Sequence, residues 1–137
     1  MGDDRIDGDI IYTATPFRLS DETVERICDY VESCGDFPFH PLKAMPLSRY
    51  NYDRYTSRVI FEACFRCVDH VSDGVWIFGI GSGSLKEYVR AREHGKPVRS
   101  LVKVFDPEWE EYSNRRKYWD VFGKIFGEVL DSSEISI

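Results

Sequence analysis

Apolar residues along this chain recur with two different periods, and the periods alternate. Residues 9–14, DIIYTA, form a short apolar run that ends at Thr15-Pro16-Phe17. Pro16 cannot donate to a strand ladder, so the run predicts a first strand opening into a loop. A helix follows, with Ser20 as N-cap, Asp21 and Glu22 in its first turn, Val24, Ile27, Cys28 and Val31 at helical spacing, and Gly35 as its stop. DFPFHPLKAMPL carries three prolines, which predicts a short second strand at Phe37–His40 and an irregular loop to about Tyr55. From Ser57 to about Ser72, Ile60, Ala63, Cys64, Cys67, Val68 and Val71 predict a second amphipathic helix. GVWIFGI then reads as a strand buried on both faces. A third helix runs from Ser84 to His94, stopped by Gly95; KPVRSLVKVF reads as a fourth strand. Tyr112–Leu130 reads as a terminal helix with Trp119, Phe122, Ile125, Phe126 and Val129 on one face, and the last seven residues, DSSEISI, are expected to fray.

Strand and helix therefore alternate four times, which predicts an α/β fold: one doubly wound, mostly parallel sheet of four to five strands with helices on both faces, Rossmann-like and in flavodoxin-like order. The length of 137 residues suits one domain spanning the chain, with its core at about 9–130.

Composition narrows the partners. Eighteen basic against twenty-four acidic residues give a net charge of −6, which argues against broad binding of duplex nucleic acid but leaves room for a small anion in one positive pocket. No apolar run of about 18 residues is present, and the first twenty residues lack a basic region followed by an apolar one, so a cytoplasmic protein outside the membrane is expected. Cys64 and Cys67 form a CxxC inside the apolar face of the second helix, with no second pair to complete a zinc site; they read as small hydrophobes. His40, His70 and His94 show no ligand spacing, and neither metal nor cofactor is expected.

In an open parallel sheet the ligand lies beyond the carboxyl ends of the strands, near the point where strand order reverses. Three loops leave such ends: TATPF, HPLKAMPLSRYNYDRY and GIGSGS. The second brings Arg49, Tyr50, Tyr52, Asp53, Arg54 and Tyr55, either a wall of a pocket or a solvated loop with surface tyrosines. The third opens a helix, where free amides meet three glycines and two serines. Gly81, Ser82, Gly83 and Ser84 suit a phosphate or a ribose hydroxyl, or else a plain turn, since neither GxGxxG nor Walker A spacing is present. Ser84-Leu85-Lys86-Glu87 also matches a capping box, which would put Glu87 at the third helical position with no chemical task.

Ile11-Tyr12-Thr13-Ala14-Thr15-Pro16-Phe17, Asp73 before VWIFG, Gly83 with Glu87, and Gly95-Lys96-Pro97-Val98 stand in one order over about residues 9–105. In these motifs the chain resembles the nucleoside 2-deoxyribosyltransferase superfamily, which includes the 2′-deoxynucleoside 5′-monophosphate N-glycosidases. The resemblance implies a retaining mechanism with Glu87 as nucleophile on C1′, Tyr12 holding the sugar and orienting the glutamate, and Thr15, Pro16 and Phe17 bordering the base. Asp69, with Glu62 and Asp53 as alternatives, is the candidate general acid, though each reads more readily as a solvated carboxylate, and Asp73 reads as a structural turn. The family's assemblies imply a homodimer or higher homo-oligomer in which the EWEEYSNRRKYWDVF stretch makes the contact and Ser113, with Arg115 and Arg116, reaches a neighbour's phosphate. Transferases of free nucleosides commonly carry an aspartate where this chain has Gly81, and its absence shifts the expectation toward a nucleotide.

The expected function is thus an N-glycosidase or deoxyribosyltransferase acting on a (deoxy)nucleoside 5′-monophosphate. A nucleotide-binding sensor with the same cleft and little turnover is the alternative, and a ligand-free interaction domain a third.

Overall fold

The computed structural model describes residues 5–44, 55–113 and 116–137, the side chains at 42, 44, 112, 113, 116 and 117 excepted. Four parallel strands, β1 (Ile10–Ala14), β2 (Phe37–Phe39), β3 (Gly74–Ile77) and β4 (Val98–Ser100), form one sheet in the order β2-β1-β3-β4. Ile11 lies opposite Pro38 of β2 and Gly74 of β3, and Val75 lies opposite Val98 of β4.

The chain moves one way across the sheet from β1 to β2 and the other way from β2 through β3 to β4. Right-handed crossovers then send the first connecting helix to one face and the later ones to the opposite face. Two buried clusters show this split. Ile11, Trp76 and Phe78 pack with Ile27 and Val31 of α1 (Asp21–Ser33). Tyr12, Ala14, Val75 and Ile77 pack with Ile60, Cys64 and Val68 of α3 (Ser57–His70), Leu85 and Tyr88 of α4 (Ser82–Glu93), and Phe126 and Val129 of α7 (Arg116–Asp131). A short α2 (Pro41–Ala44) follows β2, and α5 (Val102–Phe105) and α6 (Trp109–Ser113) follow β4.

Local chemistry sets the helix ends. The Ser20 hydroxyl accepts from Thr23 N at 3.1 Å and caps α1; Thr56 does the same for α3 through Val59 N at 3.3 Å. At the other end of α3 the Lys96 ammonium donates to the carbonyls of Val68, Asp69 (2.8 Å) and Ser72 (2.6 Å), using the charge that a helix C-terminus favours. Asp73 N donates to Ile10 O at 2.7 Å and Ile10 N to Asp73 Oδ2 at 2.8 Å, which agrees with the structural turn read for Asp73.

Three expectations are corrected. KPVRSLVKVF is a strand only at its centre: after Ser100 the chain winds into α5, whose Val102 and Phe105, three residues apart, both reach the core. The terminal helix is broken, with Gly123 at φ 48° and ψ −118°, a conformation that side chains strongly disfavour. The last residues do not simply fray: Glu134 N donates to Ser100 O at 3.0 Å and the Glu134 carboxylate takes Arg99 Nη2 at 2.7 Å, covering the open edge of β4, while Ile135 and Ile137 remain exposed. Among the described residues no helix is long and apolar enough to cross a membrane.

Candidate active site

The last ladder bond between the two central strands runs from Phe78 N to Ala14 O at 2.9 Å. Beyond it the two chains part, toward α1 on one face and α4 on the other. The gap is a cleft of about 230 Å³, lined by Thr15, Pro16 and Phe17 after β1, Pro41 after β2, Ile60, Phe61 and Cys64 of α3, and Gly81, Ser82, Gly83, Ser84 and Glu87. Drug-sized sites run to roughly 300–1,000 Å³, so the cleft is on the scale of one small molecule or a small part of a larger one.

Eight of the residues read from the sequence as site candidates thus line one cavity: Thr15, Pro16, Phe17, Gly81, Ser82, Gly83, Ser84 and Glu87. Tyr12 stands behind them, fully buried, its hydroxyl donating to Glu87 Oε2. Glu87 itself is only 6% exposed. Burial pushes its carboxyl up to about 8, against which the Tyr12 hydroxyl bond pulls down. The same burial, with the neighbouring carboxyl, raises Tyr12 well above the ordinary phenol range.

The helix that carries Glu87 begins earlier than its sequence indicates. Gly81, in extended backbone, is the N-cap, and Leu85 N makes the first helical bond to Gly81 O at 3.0 Å. Ser84 is therefore the third helical residue and not the cap, and its hydroxyl turns back onto the carbonyls of Gly79 (2.8 Å) and Gly81 (3.1 Å). The capping box is not formed. Glu87 falls on the sixth helical position, more than a turn inside, facing Tyr12. Ser82 remains exposed at the helix start, where the first amides lack intrahelical partners.

The glycines serve packing before they serve a ligand. A Cβ at Gly79 would stand 2.5 Å from Pro16 Cδ, one at Gly81 2.9 Å from Pro16 Cβ, and one at Gly83 3.1 Å from Phe61 Cε1. The loop after β3 is glycine-rich because Pro16 and Phe61 lie against it.

A second fastening was missed in the sequence. Asp106, fully buried, accepts from Arg18 Nη1 at 2.7 Å and from Ile80 N at 3.0 Å, while Arg18 Nη2 donates to Ile80 O at 3.0 Å. Arg18 and Asp106 are 88 residues apart, so no local signal announces the pair. His40 was missed as well: it is buried at the end of β2 with Nε2 2.9 Å from Thr15 Oγ1.

Asp69 does not join the cleft. Its carboxylate is held by Arg90, Nε at 2.9 Å and Nη2 at 2.6 Å, and that guanidinium keeps it below the usual carboxylate range, the opposite of what a general acid needs. Glu62 pairs with Arg66 on the surface of α3. Asp53, Arg49, Tyr50, Tyr52, Arg54 and Arg115 lie outside the described residues, as do the side chains of Ser113 and Arg116; Tyr55 is exposed. Cys64 is a buried wall of the cleft whose thiol is pushed up to about 12, chiefly by burial, in keeping with a hydrophobic role. No group of three or more potential metal ligands occurs among the described residues.

What the arrangement can do follows from Glu87, the one carboxyl that lines the cleft among the described residues. Ionised, Glu87 can attack or stabilise an electron-poor carbon; protonated, it can donate its proton while still accepting from Tyr12, but it cannot attack. Compared with family models, with curated proteins and with solved structures, the chain matches none.

Proposed function

We propose that the cleft breaks the N-glycosidic bond of a (deoxy)nucleoside 5′-monophosphate through Glu87. The observation that carries this reading is the buried Glu87–Tyr12 pair facing a small cavity at the reversal point of the sheet. The Glu87 carboxylate forms a bond to C1′, the base leaves with the electron pair of the C–N bond, and water supplies the proton the base takes up. The glycosyl ester is then released to water or to a second base. Tyr12 holds the carboxylate by its hydroxyl. Support for a phosphorylated substrate comes from Ser82 and the amides at the start of α4, together with the absence of a negative charge at Gly81. The homo-oligomer implied by the family resemblance belongs to the same proposal; Trp119, 47% exposed, and Val121, 69% exposed, are apolar residues offered by the implied contact stretch.

Incubation with a panel of nucleoside 5′-monophosphates, followed by chromatography for free base, tests the reading. Release by the wild type and its loss, by a factor of 10³ or more, in Glu87→Gln are expected, the scale of removing a covalent nucleophile. No release and no binding of any monophosphate would sink it. The second reading, a nucleotide-binding sensor, is favoured by one observation: with its pKa at about 8, Glu87 is mostly protonated at neutral pH, and a protonated carboxyl does not attack. Tight binding without release is the result that selects it.

A further inference from the structure

His40 is 3% exposed, and its Nδ1 is buried with no partner among the described residues. Its other ring nitrogen, Nε2, meets Thr15 Oγ1 at 2.9 Å, and Thr15 lines the cleft. Burial and the nearby Lys43 ammonium hold the imidazole at about 4, so the ring is neutral at pH 7 and carries one N–H.

Where that proton sits decides what Thr15 offers the cleft. On Nδ1 it would be a buried donor with nothing to bond. On Nε2 it bonds Thr15 and leaves only a bare lone pair at Nδ1, the less costly of the two orphans. The Thr15 hydroxyl then accepts from His40, so its own proton is left to give, and among the described residues no hydrogen bond from that hydroxyl to a protein acceptor is found.

We propose that the Thr15 hydroxyl, aimed by His40, is the cleft's donor to an acceptor atom of the base, a carbonyl oxygen or an unprotonated ring nitrogen, making Thr15 and His40 a specificity pair. This rests on the nucleotide reading of the cleft and adds to it which edge chemistry is selected. A base that presents a donor or a carbon at that position leaves the hydroxyl unpaired against it and is disfavoured.

Two measurements test the pair. The ¹⁵N–¹H spectrum of the histidines at pH 7 should show His40 with its proton on Nε2; a proton on Nδ1 overturns the proposal whatever the ligand. Base release and binding are then compared for nucleoside 5′-monophosphates, the 1-deaza, 3-deaza and 7-deaza analogues of the purines, and analogues in which a base carbonyl is replaced by hydrogen. In the wild type one analogue should lose about 10-fold in kcat/KM or Kd, the value of one hydrogen bond. In Thr15→Val, of the same shape, the parent should fall by that factor and the analogue not at all, and Thr15→Ser should restore the difference. Wild-type binding or turnover with no analogue disfavoured, or discrimination intact in Thr15→Val, overturns the specificity pair and leaves the nucleotide reading standing. No binding or release of any monophosphate removes both.

Discussion

Glu87 carries opposing demands that pH can separate. Its carboxyl ionises at about 8 in the folded chain and near 4.5 in an ordinary environment. Between those values the folded chain keeps a proton that the unfolded chain has released, so stability falls as pH rises through the interval. The stabilisation is fully present below about pH 4.5 and is lost above about 8, a cost of about 5 kcal/mol at about 1.4 kcal/mol per pH unit. Glu87→Gln, which keeps the shape and an acceptor for Tyr12, should therefore raise Tm far more at pH 9 than at pH 5; equal gains at both would show that Glu87 is not held protonated. Activity runs the other way: kcat/KM for base release should climb with pH to a plateau above about 8 as the nucleophile ionises. Tyr12→Phe removes the bond that favours the carboxylate, so the rising limb should move to higher pH and kcat/KM at pH 7 should drop about 10-fold. A Tyr12→Phe profile that overlays the wild type would remove Tyr12 from the mechanism.

At the scale of elements, the cleft was legible in its members and not in its fastenings. Glycine, serine and proline at strand ends announce loops, and alternating periods announce which loops share an edge; the loops holding Thr15 and Gly81 were found that way, whereas the role expected of Glu87 rested on the family resemblance alone. The start of α4 was misplaced by two residues because Ser84-x-x-Glu87 fits a cap that the backbone does not use, Gly81 having taken the position. VKVF was read as strand because its alternation also satisfies one turn of helix. The Arg18–Asp106 and Asp69–Arg90 pairs join residues far apart in sequence, where periodicity carries no information. Lys96 shows a motif acquiring a mechanical explanation: within Gly95-Lys96-Pro97-Val98 it closes the end of α3 across three carbonyls. Lys96→Met keeps the stem but removes the donor, and should cost about 1–3 kcal/mol in denaturant unfolding. A loss under about 0.5 kcal/mol would mean that water replaces the ammonium freely.

For the molecule as a whole, the division of the core between two faces follows from the sheet order and the right hand of three crossovers, and the alternation of strand and helix is why the parallel α/β class was readable from element order alone. The closeness of the two central loops was not. Pro16 lies against Gly79 and Gly81, and Arg18 and Asp106 bolt the same loops to Ile80. Gly79→Ala would push a methyl to 2.5 Å from Pro16 Cδ; it should cost about 1–3 kcal/mol of stability by overpacking and weaken ligand binding with it. Unchanged binding and stability would show that the loops yield. If they do not, these two edges of the cleft present a ready-made mouth to an arriving molecule. Capture should then be a single encounter as far as they are concerned, its observed rate rising in proportion to ligand concentration with no plateau from a closing step.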